Sequence, residues 1–231
     1  MNICLISQNA SPGLTIFRKD FIRYLIDQGH QVYAFAIDYT VVSREIVSEF
    51  GAIPMDYSLN KSGLNIFADL NDTWLLSKQL KKIQPDIVFS FFIKPSVYGT
   101  LAAKLAKVPR RIAMLEGAGY MYTPSKNKLS FKKIILQYAH GLLISMGYAF
   151  ADKVLFLNPD DPVDLTKKSF INSKKFKVIG PIGLELSSYP YTEVAVTKPI
   201  RFIFIARMIV EKGVYEYLAA AQIVKLKYPD T

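Results

Sequence analysis

Residues 85–106 read PDIVFSFFIKPSVYGTLAAKLA and decide the class of the fold. The nearly unbroken apolar run at 87–91 predicts a short strand that is buried on both faces of a sheet. The residues that follow have helical spacing, which predicts a helix over 96–106 with Ser96 as its cap. A helix is also predicted before the strand, over 66–83. It ends ahead of Pro85, because the proline ring cannot continue the helical hydrogen bonding.

The same strand-then-helix order recurs from the first residue to the last, which indicates repeated βα units around a parallel sheet. Further strands are predicted at 3–6, 32–37, 52–55, 111–115, 154–157, 177–179 and 201–206. Further helices are predicted at 15–28, 66–83, 160–170 and 213–228. The sequence therefore predicts an α/β fold with helices on both faces of the sheet.

A polar, irregular stretch near 187–199 marks a boundary in the chain. We therefore expect a first domain over 1–188, a linker over 189–199 and the start of a second domain over 200–231. A single βα unit cannot cover both faces of its own sheet. The second domain is accordingly expected to be incomplete within these 231 residues.

The composition excludes several classes of protein. Hydrophobic residues make up 51% of the chain and charged residues 21%, which excludes a disordered or collagen-like protein. Cys4 is the single cysteine, so no internal disulfide can form and a reducing compartment is indicated. The first residues lack the basic segment of a secretory signal, and we expect a cytoplasmic protein.

The positive charge is concentrated in one stretch of the chain. The formal net charge is +10, and residues 101–150 hold eight basic side chains against the lone acid Glu116. The eight are Lys104, Lys107, Arg110, Arg111, Lys126, Lys128, Lys132 and Lys133. Such a stretch favours an anionic partner, namely a phosphate, a nucleic acid or an anionic membrane, although a simply solvated face is the alternative.

The stretch over 119–135 interleaves tyrosine and phenylalanine with lysine, a composition that suits the headgroup layer of a membrane. Peripheral membrane association through these residues is therefore predicted, with Lys126, Lys128, Lys132 and Lys133 as phosphate contacts. The uncharged run that follows, 134–151, only just reaches the length of a membrane-spanning helix and contains polar residues. A buried core helix is favoured there over an interfacial helix and over a membrane span.

Ligands of an open parallel sheet bind beyond the carboxyl ends of the strands, so the loops after the strands are the candidate sites. The first such loop, 7–13, ends at Gly13 and can present free backbone N–H groups to an anion or a sugar hydroxyl, unless it is an ordinary turn. The fourth strand is followed by Lys94, which can complement phosphate charge or simply face solvent.

The loop after the fifth strand reads Leu115-Glu-Gly-Ala-Gly-Tyr120. Glu116 can accept hydrogen bonds from sugar hydroxyls or act as a base. Gly117 and Gly119 allow the backbone to approach a ligand closely. The alternative is a structural ion pair of Glu116 with Arg110 or Arg111.

Arg207 and Lys212 flank the start of the last helix, where two cations and a helix N-terminus can hold a diphosphate leaving group.

The sequence contains no D-x-D pair, Walker A loop, C-x-x-C or G-x-S-x-G motif. Neither a metal site nor a serine nucleophile is therefore predicted. His30 and His140 are interpreted as structural residues.

With these residues, the chain resembles the retaining, GT-B-fold glycosyltransferases of family 4 that build bacterial O-antigen, capsule or protein-linked glycans. The matching segments are GHQV at 29–32, PDIV at 85–88, IKPSVYG at 93–99 with LAA at 101–103, EGAGY at 116–120, ADKV at 151–154, NPDD at 158–161, AR at 206–207 and EKG at 211–213. The resemblance covers essentially the whole chain, and its most specific part is Arg207 with Lys212, which in the family hold the donor diphosphate.

The resemblance implies a Rossmann-like acceptor domain followed by the first βα unit of a Rossmann-like donor domain. It implies transfer of a sugar from a nucleotide sugar, expected to be UDP-linked, to a polyprenyl-diphosphate-linked saccharide at the inner face of the cytoplasmic membrane. The nucleotide sugar is a substrate, and neither a cofactor nor a metal is expected.

Two features depart from the family's pattern. Glu116 stands where many relatives have a histidine, and the family's E-x7-E pair would lie beyond the last residue. The chain is therefore expected to be truncated and inactive alone.

Two other functions remain open at this stage. One is a sugar-nucleotide epimerase on the same fold, which needs neither a lipid acceptor nor a membrane patch. The other is a non-catalytic module that binds a membrane or a partner protein. Nucleic-acid binding is not predicted, because the basic stretch matches no recognition motif that we can name.

Overall fold

The structure is a computed structural model. It describes residues 1–60, 65–117, 131–166, 173–183, 185–193 and 199–229. For residues 131–137, 139, 140 and 211 only the backbone is described. The chain divides into two compact units, Met1–Leu184 and Glu185–Thr231.

The first unit is built on a parallel sheet of seven strands in the order β3-β2-β1-β4-β5-β6-β7. The strands are β1 (Asn2–Ile6), β2 (Gln31–Ala36), β3 (Ile53–Asp56), β4 (Ile87–Phe91), β5 (Arg110–Leu115), β6 (Lys153–Phe156) and β7 (Phe176–Val178). All six neighbouring pairs are parallel, as in β1 and β4, where Ile3 lies opposite Ile87. The predicted α/β class and parallel sheet are therefore confirmed.

Helices connect the strands and cover the sheet. They are α1 (Lys19–Asp27), α2 (Val41–Glu49), α3 (Ile66–Ile83), α4 (Ile93–Leu105), α5 (Phe131–Ala149) and α6 (Asp160–Thr166), with α7 (Val214–Lys227) in the second unit. The sequence reading missed α2, which begins at a capping box in which Thr40 and Ser43 bond each other's backbone N–H. The end of the predicted helix 160–170 lies outside the described residues.

Alternate residues of the central strands enter two separate cores. Cys4 and Ile6 pack with side chains of α3, α4 and α5, whereas Ile3 and Leu5 pack with side chains of α1 and α2. Helices α1 and α2 therefore lie on one face of the sheet, and α3, α4 and α5 lie on the other.

Helix α4 is the central helix of its layer, and glycines allow its close contacts. A Cβ atom at Gly99 would lie 2.6 Å from Ser90 Oγ on the sheet. A Cβ atom at Gly147 of α5 would lie 2.7 Å from Val97 Cα of α4. Both glycines are thus needed for this packing.

The role predicted for Ser96 is wrong. Helix α4 begins at Ile93, three residues earlier than predicted, so Ser96 lies inside the helix. Its hydroxyl donates to Ile93 O and shares a second hydrogen bond of 2.8 Å with the Tyr148 hydroxyl of α5. Ser96 therefore joins two helices instead of capping one.

The second unit contains α7, which confirms the predicted helix, and a short 3-10 helix, Val210–Lys212. The strand predicted over 201–206 is not observed, because no strand of the described chain pairs with it. Among the residues that the structure describes, none of the helices combines the length and apolarity needed to cross a membrane.

Candidate active site

The carboxyl ends of β1, β4 and β5 lie side by side, because these strands are parallel neighbours. The winding of the sheet reverses between β1 and β4, and ligands of open parallel sheets bind at such a switch point. The structure brings to this edge three residues that the sequence analysis singled out: Gly13 and Glu116 in the segments after β1 and β5, and Lys94 in the first turn of α4.

The loop after β1 is tightly wound around Gly13. Its N–H donates to Asn9 Oδ1 at 3.0 Å, and a Cβ atom at Gly13 would lie 2.3 Å from that oxygen. The Ser7 hydroxyl donates to Asn9 O at 2.9 Å and would also be contacted. The sequence suggested a free N–H at this turn, whereas the N–H of Gly13 is occupied within the loop.

The same loop is fixed to the neighbouring strands by two further hydrogen bonds. Asp38 accepts from the N–H of Ala10 at 2.7 Å, and the hydroxyl of Tyr57 donates to Ser7 O at 2.9 Å. Burial, followed by the charge of Asp38, raises the pKa of Tyr57, so the phenol keeps the proton that it donates. The loop is therefore a preformed part of this edge.

Glu116, the predicted catalytic residue, forms an ion pair with Arg18, which directly precedes α1. The side chains of Arg18 and Glu116 are only 5% and 10% exposed. The Arg18 guanidinium also lies 4.2 Å from the ring centroid of Phe91 and donates to Phe17 O at 3.0 Å. Burial lowers the pKa of Arg18 to about 10.

The alternative ion pair that the sequence suggested for Glu116 is wrong. Arg111 pairs instead with Asp152 at 2.8 Å, and Arg110 is exposed. Both basic residues lie at or near the amino end of β5, whereas Glu116 follows its carboxyl end, so the length of the strand separates them.

Arg18 is the site residue that sequence reasoning missed. It occupies one turn of the stripe Leu14, Arg18, Ile22 and Leu25, whose members are all buried. An arginine within an otherwise apolar helical stripe is a signal that could have pointed to a buried charge partner.

Lys94 lies at the start of α4 and contacts α3. Its Nζ is 2.8 Å from Asp69 Oδ2 and donates to Asn60 O at 2.9 Å. The side chain of Asp69 is only 2% exposed, so this lysine compensates a buried carboxylate. A phosphate contact of Lys94 stays a prediction.

Two backbone positions at this edge have unusual conformations. Phe92, between β4 and α4, has φ of 68°, which costs an L-residue about 1–3 kcal/mol. Gly117 has φ of 119°, a region that favours glycine, and a Cβ atom there would meet nothing within 4 Å. The close approach of a ligand to the backbone of Gly117 stays a prediction.

An apolar cleft of about 270 Å³ adjoins the ion pair on the α1 side of the sheet. Its lining includes Phe17, Phe21, Phe89, Phe91, Met114 and Ile179, with Arg18 as the basic member. Asp20 also lines the cleft, and Arg18 is paired with Glu116, so the cleft can receive an apolar group but offers it no unpaired cation among these residues.

The remaining predicted site residues lie elsewhere. Arg207 and Lys212 are exposed in the second unit: Arg207 precedes the short 3-10 helix, and Lys212 is its last residue, directly before Gly213 and α7. Gly119, Lys126 and Lys128 lie outside the described residues. The side chains of Lys132 and Lys133, in the first turn of α5, are likewise outside the description.

Comparison with known families decides the class of protein to which this fold and edge belong. The sequence model described as glycosyl transferase 4-like matches residues 2–158, well over half of the chain. The chain belongs to this family. The matched part includes β1 to β6 and therefore Gly13, Arg18, Lys94, Glu116 and Gly117.

A curated relative is the N,N'-diacetylbacillosaminyl-diphospho-undecaprenol alpha-1,3-N-acetylgalactosaminyltransferase of Campylobacter jejuni. It is 27% identical over 233 residues, which cover 95% of this chain and 60% of the relative. The chain thus spans less than two thirds of that glycosyltransferase.

Solved structures share the fold. The Anabaena protein HepE, crystallised with UDP and glucose, matches 83% of this chain and 47% of its own, with a TM-score of 0.57 and 13% identity. The UDP-GlcNAc 2-epimerase of Neisseria meningitidis matches 77% of this chain and 46% of its own, with a TM-score of 0.50 and 15% identity. The fold is therefore shared with a protein that was crystallised with UDP and with an epimerase.

Proposed function

We propose that the protein transfers a sugar from a nucleotide sugar, UDP-linked, to a polyprenyl-diphosphate-linked saccharide during the synthesis of a bacterial surface polysaccharide or glycan. The observation that carries this proposal is the match over 95% of the chain to a transferase whose name specifies a diphospho-undecaprenol acceptor. Family membership over residues 2–158 supports the transferase class independently of that relative.

Glu116 is the proposed catalytic residue. Its carboxylate follows β5 at the switch-point edge, beside a backbone that Gly117 leaves open. In this role it accepts a hydrogen bond from the acceptor hydroxyl and orients or deprotonates it. Arg18 is a positioning residue, because it holds the carboxylate through the buried ion pair.

The proposed reaction is retaining and metal-independent. Arg207 and Lys212 take up the charge of the leaving diphosphate, together with the N-terminus of α7. Both side chains are exposed and therefore accessible to a ligand. The donor is bound by the second domain and the acceptor by the first, where Gly13, Lys94, Gly117 and Gly119 form the proposed acceptor side.

The proposed location is the inner face of the cytoplasmic membrane. The lipid anchor of the acceptor places the reaction at a membrane surface, and the basic, aromatic residues 119–135 supply the contact to anionic headgroups. The lysines Lys126, Lys128, Lys132 and Lys133 bind headgroup or acceptor phosphate.

The proposal is tested with the product of the complete gene. UDP-sugars labelled in the sugar are incubated with and without undecaprenyl-diphosphate-linked saccharides, and the lipid fraction is extracted. Label in the lipid fraction that requires the acceptor is the expected result. Absence of transfer with every donor and acceptor pair would refute the proposed activity.

The shared fold of the Neisseria enzyme makes a sugar-nucleotide epimerase the second candidate. The same incubations without lipid distinguish the two. Conversion of the UDP-sugar to its epimer in the absence of any acceptor would favour the epimerase.

A further inference from the structure

The side-chain amide of Asn9, in the loop after β1, is held at one end only. Its Oδ1 accepts from the N–H of Gly13 at 3.0 Å, and its backbone oxygen accepts from the Ser7 hydroxyl at 2.9 Å. Within the described part of the chain, no group accepts a hydrogen bond from Asn9 Nδ2, although the residue is half-buried. Because a carboxamide is planar, fixing Oδ1 also fixes the direction of the two unused N–H donors.

Asn158, in the segment after β6, has a similar carboxamide with both ends used. Its Oδ1 accepts from the backbone N–H of Asp160 at 3.0 Å and of Asp161 at 2.9 Å. Its Nδ2 donates to Asp161 Oδ2 at 2.8 Å. An asparagine that only shapes a turn can thus be saturated by that turn. Asn9 shapes its turn in the same way, but its donors are left for solvent or a ligand.

The position of Asn9 is built into the fold. A Cβ atom at Gly13 would lie 2.3 Å from Asn9 Oδ1, so this glycine is required for the amide to lie where it does. Ala10, the next residue, donates its N–H to Asp38 Oδ1 at 2.7 Å, which fixes the loop to the segment after β2. The donors of Asn9 are therefore oriented before a ligand arrives.

The cations around this loop are already compensated. The described segments after β1, β4 and β5 at the carboxyl edge are 7–18, 92–98 and 116–117, and their cations are Arg18 and Lys94. Arg18 pairs with Glu116, and Lys94 Nζ lies 2.8 and 2.9 Å from the two carboxylate oxygens of Asp69. Phosphate is bound most strongly by cations, whereas a hydroxyl or carbonyl oxygen needs only a donor. These segments therefore suit a neutral ligand group better than a phosphate.

We propose that Asn9 donates hydrogen bonds to a neutral hydroxyl or carbonyl oxygen of the acceptor sugar. Its Nδ2 supplies the donors, and Glu116 on the neighbouring loop supplies the acceptor for the reacting hydroxyl. The inference rests on the proposed sugar transfer and adds to it. Asn9 recognises the uncharged part of the acceptor, and the acceptor diphosphate is bound outside these segments.

Asn9→Asp separates this role from a purely structural one. The carboxylate still accepts from the N–H of Gly13 but donates nothing, so the urea midpoint of unfolding should stay unchanged. In the complete gene product, kcat/KM for the lipid-linked acceptor should fall about 10- to 100-fold, while KM for the UDP-sugar should not change. Asn9→Ala removes the oxygen as well, and we expect it to lower both the activity and the urea midpoint.

Asn65→Asp is the matched control. The Oδ1 of Asn65 likewise accepts a backbone N–H, that of Ala68 at 3.2 Å, at the start of α3. Aspartate and asparagine are equally good at such a helix start. This variant therefore introduces the same charge and should match the parent enzyme in urea midpoint and in kcat/KM.

Inorganic pyrophosphate tests whether the group bound by Asn9 is neutral. We expect the constant for inhibition by pyrophosphate, measured against the acceptor, to be equal in the parent enzyme and in Asn9→Asp. A higher constant in Asn9→Asp than in the control variant would mean that phosphate lies beside Asn9, which would overturn the assignment to a neutral oxygen.

Further outcomes separate this inference from the proposed function. If the parent enzyme transfers no sugar, the proposed function fails, and the inference fails with it. If the parent is active and a folded Asn9→Asp variant keeps the same kcat/KM, the inference alone is overturned, because Asn9 then only shapes the loop. If Asn9→Asp raises KM for the UDP-sugar instead, Asn9 contacts the donor, and its assignment to the acceptor is wrong.

Discussion

Arg18 and Glu116, which lie far apart in the sequence, form a buried ion pair at the carboxyl edge of the sheet. Arg18 directly precedes α1, and Glu116 directly follows β5. The pair therefore joins the first βα connection to the loop that carries the proposed catalytic carboxylate. A carboxylate held in this way is oriented before a substrate arrives.

We expect the effects of removing the two charges on the free energy of unfolding to be strongly non-additive. Glu116→Gln leaves Arg18 buried without its partner, and Arg18→Met does the same to Glu116, so each variant should lower the free energy of unfolding by about 3 kcal/mol. The double variant should lose clearly less than the sum, because neither charge is then buried alone. Urea unfolding followed by circular dichroism gives these values.

A matched pair provides the control for this cycle. Arg44 and Asp56 form an ion pair at 2.7 Å whose side chains are 39% and 69% exposed. The interaction free energy of Arg44 and Asp56 from the same kind of double-mutant cycle should stay below about 1 kcal/mol, since solvent screens exposed pairs. Additive losses at Arg18 and Glu116 would show that the buried pair does not form.

Gly13 should not tolerate a side chain. In Gly13→Ala the new Cβ would lie within 2.6 Å of atoms of Asn9 and Ser7, so the turn after β1 must open. We expect a loss of about 1–3 kcal/mol in the free energy of unfolding. Gly183→Ala, where a Cβ atom would meet nothing within 4 Å, should be nearly neutral in the same measurement.

Lys94 should stabilise the fold through Asp69. Lys94→Met leaves a carboxylate that is 2% exposed without its cation, and we expect a loss of about 3 kcal/mol in unfolding free energy. The double variant Lys94→Met with Asp69→Asn should recover part of this lost stability, because the buried carboxylate is then removed as well. Lys104→Met, at an exposed position of the same helix, should stay within about 0.5 kcal/mol. An unchanged stability of Lys94→Met would mean that other groups compensate Asp69.

Cys4 should make the stability depend on pH in alkaline solution. Burial raises the pKa of this thiol from 9.0 to about 12, so above pH 9 the unfolded chain loses its proton first. The contribution of Cys4 is thus complete below pH 9 and is lost as the pH rises towards 12. Urea unfolding between pH 8 and 10.5 should show a shallower decline for Cys4→Ala than for the parent chain. An equal slope in both would indicate an accessible thiol.

The sequence predicted the fold well because its signals are local. Apolar runs separated by helical segments placed seven strands to within about one residue of their observed bounds, and the helix over 66–83 was predicted at its observed bounds. The misses also have local causes. Helix α2 has only nine residues, which is too short for a clear helical pattern, and the apolar run at 201–206 needs a second strand to form a ladder.

The candidate site was predicted only in part, because its geometry depends on contacts between distant segments. Glu116 and Gly117 could be placed at the ligand edge from the loop sequence alone. The partners of Glu116 and Lys94 could not be predicted, because Arg18 precedes α1 and Asp69 lies in α3, and no spacing rule connects the members of either pair.

The central claim is that Glu116 at this edge serves sugar transfer to a lipid-linked acceptor. The most direct measurement compares kcat/KM of Glu116→Gln with that of the parent enzyme, using the complete gene product, a UDP-sugar and an undecaprenyl-diphosphate-linked saccharide. Asp152→Asn, which removes an acid from an ion pair at the opposite edge of the sheet, is the control. We predict a loss of about 10² to 10⁴-fold for Glu116→Gln in folded protein and an unchanged value for the control. Equal activity of the folded Glu116→Gln variant and the parent enzyme would contradict the claim.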